Sequence, residues 1–274
     1  MKNQKYKILV LSDLKDTTNN VLKNTANLSK VIDGEINFFH VKKPTDVVER
    51  ESQLSTFRTI SEKHTITKKR IEEFVSHTKG NYGVTINYSY TFGNVKNEIE
   101  DYINKHNPDI IVLGKRKSNP FRLGDNVTDF VLNTFKGIIL ISGNESTIEF
   151  NDQLSLGFLD GKNPFLNIDF VNELFERTKK PLKSFKVVSK GDNLLENNTT
   201  TEFKTVEYVF ERSGNTVQNL TNYLSKSKVD LLLIDGNFKE NNNEGLNQPD
   251  IKSVINQLDI SLLISNQKNF SKTI

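Results

Sequence analysis

Short apolar runs alternate with longer amphipathic stretches along the whole of this chain. Ile8-Leu9-Val10-Leu11 is a continuous apolar run closed by Ser12-Asp13, the pattern of a strand buried on both faces in a parallel sheet. Val21, Leu22, Thr25, Leu28, Ser29 and Ile32 then fall at helical spacing, with Asp33-Gly34 as the stop. Residues 36–41 predict a second strand, closed by Pro44. Across 47–77 a charged segment sets Leu54, Phe57, Ile60, Ile71, Phe74 and Val75 on one helical stripe. Residues 84–90 alternate as a strand, 95–105 predict a helix, 110–113 a strand, 126–135 a helix and 138–141 a strand. The order βαβαβαβαβ calls for a mostly parallel sheet, right-handed crossovers and helices on both faces.

The pattern then starts again. Strands are predicted at 154–159, 185–189, 206–210, 231–234 and 261–264, with a helix at 165–177 and Pro181 beyond it. Residues 190–204 are polar, rich in Asn and Thr, and too short for a counterpart of the long helix, so the second copy lacks one helix. The repetition extends to residue identity. Gly93-Asn94, Tyr102, Lys105, Asp109 and the apolar block 110–113 recur 121 positions on as Gly214-Asn215, Tyr223, Lys226, Asp230 and 231–234. Val131, Asn133, Leu140, Ile141 and Ser142 recur 123 positions on as Val254, Asn256, Leu263, Ile264 and Ser265. Such a period is too long for a solenoid unit and matches a whole domain. The reading is two tandem five-stranded α/β domains, 1–145 and 152–274, joined by a polar linker at 143–153.

Composition narrows the function classes. With 37 basic and 34 acidic side chains, the net charge of +3 is too slight to argue for nucleic acid. The absence of Cys removes disulfides and thiolate metal sites, as in a reducing cytosol. No segment has the run of about 18 apolar residues of a membrane span, and the apolar run at Ile8 is too short for a signal peptide. A cytoplasmic protein without membrane or nucleic-acid partners is expected.

Catalytic chemistry is sparse. His40, His64, His77 and His106 lack metal-ligand spacing, and Ser12-Asp13 lacks the glycines of a nucleophile elbow. Lys68-Lys69-Arg70-Ile71-Glu72-Glu73 reads as ion pairs on a solvated helical face. The expectation is no metal and no enzyme.

An Asp after the first strand, and Gly114 followed by Lys115, Arg116 and Lys117 after the fourth, resemble the universal stress protein family. The likeness covers the whole chain as a tandem pair and is closer in the first half. It implies an adenine nucleotide alpha hydrolase-like fold. Many members bind ATP through an acid after strand one, a backbone contact after strand two and a Gly-x-x-Gly-x9-Gly-(Ser/Thr) loop after strand four. That suits the carboxyl ends of parallel strands, where backbone N–H groups meet phosphate.

Carried over by position, the resemblance makes Asp13 the adenine-side acid, Val41 the backbone contact and Gly114 the first loop glycine. Lys117 stands where the second glycine belongs. Depending on the alignment, Gly124 takes the place of the last glycine or Asn126 that of the following Ser/Thr. Both alignments bring Asp125 to the helix N-terminus, a good cap but a poor neighbour for phosphate. Two like charges about 4 Å apart cost roughly 4 kcal/mol at an effective dielectric of 20. Lys115, Arg116, Lys117 and Arg122 oppose that cost. The candidate set for ATP or a related adenine nucleotide is therefore Asp13, Val41, Gly114, Arg116, Lys117, Gly124 and Asn126. A solvated, self-capped basic turn is the other reading of this loop.

In the second half Asp235 replaces Gly114, the basic cluster is gone from 236–245, and Asp160 reads as a turn former. Family members dimerise through their last strands, which implies that 138–141 and 262–265 pair within one chain as an internal pseudo-dimer. A further protein partner is expected but not identified. The function implied is a non-enzymatic stress-response regulatory or binding protein. The alternatives are an interaction module without nucleotide and, least supported, an ATP-hydrolysing α/β enzyme.

Overall fold

The apolar run at 8–11 is buried because parallel neighbours flank it on both edges. The computed structural model describes residues 5–43, 53–115, 127–144, 147–159, 168–188, 204–236 and 248–266. The first half runs β1 (Tyr6–Leu11), α1 (Thr18–Ile32), β2 (Gly34–Lys42), α2 (Gln53–Tyr82), β3 (Ile86–Phe92), α3 (Val95–His106), β4 (Ile110–Gly114), α4 (Val127–Thr134) and β5 (Ile138–Ser142). The second half runs β6 (Leu156–Leu159), α5 (Asp169–Arg177), β7 (Leu182–Val188), β8 (Thr205–Glu211), α6 (Thr216–Lys226), β9 (Leu231–Asp235), α7 (Gln248–Gln257) and β10 (Ser261–Ser265). The class is α/β, with five strands from each half. Residues 190–203, where the sequence predicts an irregular crossover, lie outside the described residues.

Several boundaries differ from the sequence pattern: α2 runs on to Tyr82, β3 spans Ile86–Phe92, β6 begins at Leu156, and two further cases have a visible cause. The left-handed residue that ends α1 is Asp33 (φ 47°), whose N–H donates to Ser29 O. Gly34 instead opens β2, where a Cβ would lie 2.5 Å from Ile8 Cδ1. Strand β7 begins at Leu182, directly after Pro181 and earlier than the apolar run suggests.

The described residues divide into two compact units. One holds the residues up to Gly114 together with α4; the other holds Lys115 and the chain from Phe135 onward. In the first unit the strands are parallel in the order β3-β2-β1-β4. Ile8, Val10, Ile110, Ile111 and Val112 are fully buried there; each contributes about 1.5–3 kcal/mol. In the second unit the order is β5-β10-β9-β6-β7-β8, parallel except between β5 and β10. That antiparallel pair sets Ile141 opposite Leu262 and Ile139 opposite Ile264.

Strand register makes the two copies comparable residue by residue. Val10 pairs with Phe38 and Val112, as Phe158 pairs with Ser184 and Leu233. Phe39 therefore corresponds to Phe185, and Tyr102 to Tyr223. Phe39 stacks on Tyr102 with ring centroids 4.1 Å apart, and Phe185 meets Tyr223 edge-on at 6.2 Å.

The outer strands β3 and β8 are reversed in polarity. On β3, Tyr88, Tyr90 and Phe92 face α2: Tyr88 Oη donates to Glu72 at 2.6 Å, and the Phe92 ring lies 4.2 Å from that of His64. The equivalent β8 residues are Glu207, Val209 and Glu211. The opposite face carries Asn87, Ser89 and Thr91 on β3 but Val206, Tyr208 and Phe210 on β8. A face that meets a helix in the first copy is charged in the second. The aromatic face turns instead toward α6, where Tyr223 lies 4.8 Å from Tyr208 and 5.9 Å from Phe210.

Candidate functional site

In the first unit the chain leaves β1 for β2 on one side, while β4 pairs on the other. The carboxyl ends of β1 and β4 therefore flank the switch point, where open α/β sheets bind ligands. Leu11 is in register with Leu113, so Ser12 and Gly114 follow side by side.

Ser12 organises the turn after β1. Its Oγ accepts from Leu14 N–H at 3.1 Å and lies 2.8 Å from Thr18 Oγ1. Leu14 adopts φ 59°, a left-handed conformation rare for a branched apolar residue. Ser12 O lies 2.8 Å from Nδ1 of His40. A carbonyl only accepts, so that ring nitrogen carries the proton. His40 is buried and fixes the end of β2 against the β1 turn.

Asp13 stands at the rim with its side chain 24% exposed. Its Oδ1 accepts from Lys15 N–H at 3.2 Å, and Oδ2 lies 3.8 Å from Lys15 Nζ. Val41 is half-buried at the end of β2, in register with Thr91. Gly114 ends β4 against the start of α1. A Cβ there would lie 2.8 Å from Val21 Cγ2 and 3.3 Å from Thr17 Oγ1, so helix packing alone requires the glycine.

Asp13, Val41 and Gly114 thus end three consecutive strands of the order β2-β1-β4. Arg116, Lys117, Gly124 and Asn126 lie outside the described residues, as do Arg122 and Asp125. Sequence reading did not find the Ser12–Thr18–His40 network. Its one visible signal was a His beside the residue matched to the backbone contact.

Lys115 belongs to the second unit. Its N–H donates to Ser142 O at 3.0 Å, and the residue is only 7% exposed. Burial pulls its pKa down from 10.5 to about 8, with the negative charge of Asp259 pushing back. Asp259 Oδ1 also accepts from Asn144 N–H at 2.9 Å, and Ser261 Oγ from Gly143 N–H at 3.1 Å. A lysine so enclosed is poorly placed to neutralise phosphate at a loop surface.

In the second copy Gly236 repeats the Lys115 backbone bond, donating to Ser265 O at 2.8 Å. A Cβ at Gly236 would lie 2.9 Å from Ser265 O and would collide with the Asn266 side chain. Asn266 is itself buried, giving its N–H to Gly137 O and Nδ2–H to Phe135 O, each at 3.1 Å. The position is filled by side chain. Among the described residues no group of three or more His, Asp or Glu is arranged to hold a metal ion, and no helix is long and apolar enough to cross a membrane.

A parallel order β3-β2-β1-β4, an acid after β1 and a glycine closing β4 define a doubly wound α/β domain open at its switch point. Residues 6–141 match the model of the universal stress protein family, and the chain belongs to that family through its first half. A universal stress protein from Archaeoglobus fulgidus DSM 4304 has a similar fold at 15% identity and TM-score 0.70, covering 97% of this chain and 100% of its own. A functionally unknown protein from Pseudomonas aeruginosa PAO1 follows at 10% identity and TM-score 0.57, covering 96% and 92%. A universal stress protein solved in complex with cAMP covers 50% of this chain and 95% of its own, at 13% identity and TM-score 0.39; a likeness at that level says nothing of what this chain binds. No curated protein matches the sequence.

Proposed function

We propose that the chain is a non-enzymatic, cytoplasmic regulatory protein of the universal stress type, whose first half binds an adenine nucleotide weakly. The observation that carries this reading is the alignment of Asp13 and Gly114 at the ends of the adjacent strands β1 and β4, beside the first turn of α1. Asp13, partly exposed at the rim, is the acceptor for an adenine or ribose donor, and the basic residues Arg116 and Lys117 are the candidates for phosphate. Lys117 in place of a loop glycine, and Asp125 before α4, argue for weak binding, near a millimolar dissociation constant or about 4 kcal/mol. The antiparallel β5–β10 register supports the companion proposal, an internal pseudo-dimer in which the second copy is a structural partner.

A second reading is an interaction module that binds no nucleotide. It is favoured by the engagement of Asp13 with Lys15 and by the enclosure of Lys115. Calorimetric titration with ATP separates the two. The first reading expects measurable heat at millimolar ATP, weakened several-fold by Asp13→Ala and by Arg116→Ala. Silence at millimolar ATP leaves the module. Phosphate release above buffer would make the protein an enzyme.

A further inference from the structure

Few side chains of this protein yield easily to one-electron oxidation. The chain has no Cys, no Trp and a single Met at its first position, against seven Tyr. Thiol and thioether sulfur are the usual first targets of oxidants; here the phenols take their place. Among the described residues two tyrosine rings meet only once. They are Tyr208 of β8 and Tyr223 of α6, with centroids 4.8 Å apart and planes tilted by 47°.

The pair follows from the reversed polarity of β8. Register sets Tyr208 beside Phe185, as it sets Ser89 beside Phe39 in the first copy. Tyr102, the counterpart of Tyr223, stacks on Phe39 and His106, and no tyrosine ring among the described residues touches it. In the second copy Tyr208 stacks on Phe185 at 5.4 Å, with planes 16° apart. Phe185 and Phe210 each meet Tyr223 edge-on. Aromatic contacts of this kind hold both phenols in place. Tyr223 is 36% exposed and Tyr208 half-buried, so solvent oxidants reach the pair. The Tyr208 hydroxyl, as hydrogen-bond partner, holds the Tyr223 phenol above its ordinary pKa, so Tyr223 keeps its proton at neutral pH.

We propose that Tyr208 and Tyr223 form an oxidative modification site, where a one-electron oxidant of the peroxide-activated haem class joins the two rings into an intramolecular dityrosine. Each phenol gives one electron to the oxidant and its O–H proton to water. The phenoxyl radical left behind shares its unpaired spin with the ring carbons beside the oxygen. One such carbon of Tyr208 bonds to its counterpart on Tyr223. The hydrogens those carbons carried return as protons to the two oxygens, which restores both phenols. Two hydrogen atoms leave the chain, one carbon–carbon bond forms, and one hydrogen peroxide is reduced to two waters. The tilt of the planes suits a biaryl, whose rings are twisted about the joining bond, and joining draws the centres only slightly together. Phe185 and Phe210 have no hydroxyl and form no phenoxyl radical, so each phenol has one coupling partner in ring contact. The new bond ties β8 to α6.

The test treats the intact protein, dilute, with hydrogen peroxide and a haem peroxidase. Dityrosine fluorescence should appear while the denatured chain keeps its mass of 31.3 kDa. Trypsin cuts after Lys204, Arg212 and Lys226, so Tyr208 and Tyr223 fall on separate peptides, 205–212 and 213–226. Mass spectrometry should recover the two joined, lighter than their sum by two hydrogens. Tyr208→Phe and Tyr223→Phe keep the rings and remove the phenols. Each should abolish the joined product, whereas Tyr102→Phe should leave it at native yield. Circular dichroism checks that the variants are folded, and the native peptide map decides by itself should one of them not be. Absence of the joined peptides overturns the inference, as does a higher yield of a link between other tyrosines. So does a product that persists in Tyr208→Phe, or a doubled chain mass, which would mean that Tyr223 couples between copies.

Discussion

Asp230 grips Ser155 twice: its Oδ2 accepts the Ser155 N–H at 2.7 Å, and its own N–H donates to Ser155 O at 2.9 Å. In the first copy Asp109 does the same to Lys7, at 2.8 and 2.9 Å. Each clamp fixes the start of one central strand against the lead-in to its neighbour. Their surroundings differ, since Ser155 is buried and Lys7 exposed. Water replaces a lost partner at Lys7 but not at Ser155. Asp230→Ala should therefore lower stability by about 1–3 kcal/mol, the cost of a buried unsatisfied donor, against less than about 1 kcal/mol for Asp109→Ala. Urea unfolding of the two variants measures the difference, and equal losses would contradict the argument.

The second copy carries a backbone strain that the first avoids. Helix α3 ends at Asn107 with φ 46°, and the residue 121 positions on, Lys228, holds φ 50°. Asn tolerates the left-handed region through its short polar side chain, whereas most residues lose roughly 1–2 kcal/mol there. Lys228→Asn should raise stability by about 0.5–1 kcal/mol, read as a higher urea midpoint. A neutral or lower midpoint would show that the turn relaxes around Lys.

These pairs also show what the sequence made legible. The spacing of 121 marks Asp109 and Asp230, Tyr102 and Tyr223, Asn107 and Lys228 as equivalent before any coordinate is seen. It does not reveal how an equivalent residue is used. Gly93-Asn94 recurs as Gly214-Asn215, yet Asn94 Oδ1 caps α3 by accepting from Lys96 and Asn97, while Asn215 makes no side-chain cap. Thr216 Oγ1 instead accepts from Ser213 N–H at 2.6 Å. The reversal of β8 was hidden for a related reason. Alternation says that a strand has two unlike faces, but not which of them meets a helix. At the site, Asp13 and Gly114 were legible as strand-end residues. The Ser12–Thr18–His40 network was not, because it joins three elements that only the parallel register brings together.

Gly114 separates a packing role from a ligand role. Adding a methyl group brings it to 2.8 Å from the buried Val21 Cγ2, and overpacking of this kind costs about 1–3 kcal/mol. Gly114→Ala should thus destabilise the protein without any nucleotide present. Trimming the obstacle should reverse part of the loss, so the double variant with Val21→Ala should be more stable than the sum of the two single effects predicts. An additive cycle, or a Gly114→Ala variant of native stability whose ATP heat is reduced, would assign the glycine to phosphate instead.

Lys115 gives the protein a stability that depends on alkaline pH with a definite sign. Its pKa falls from 10.5 in the unfolded chain to about 8 when burial removes water from the ammonium group. Below pH 8 both states are charged, and the folded state bears the full cost of the buried charge. Between 8 and 10.5 the unfolded chain binds more protons, so stability rises with pH through that window. Across the whole window the gain is on the order of 3 kcal/mol, at about 1.4 kcal/mol for each pKa unit. Lys115→Met keeps the length of the side chain and removes the charge. The variant should be more stable than the native protein at pH 7, and the gap should close as pH approaches 10. Asp259→Asn should act in the opposite direction at pH 7, because it removes the negative charge that offsets the buried ammonium while keeping an oxygen for Asn144 N–H. Taking the difference between variants cancels the tyrosines that titrate in the same range. A gap between Lys115→Met and native that stays constant from pH 7 to 10 would mean that the ammonium group is solvated in the folded state.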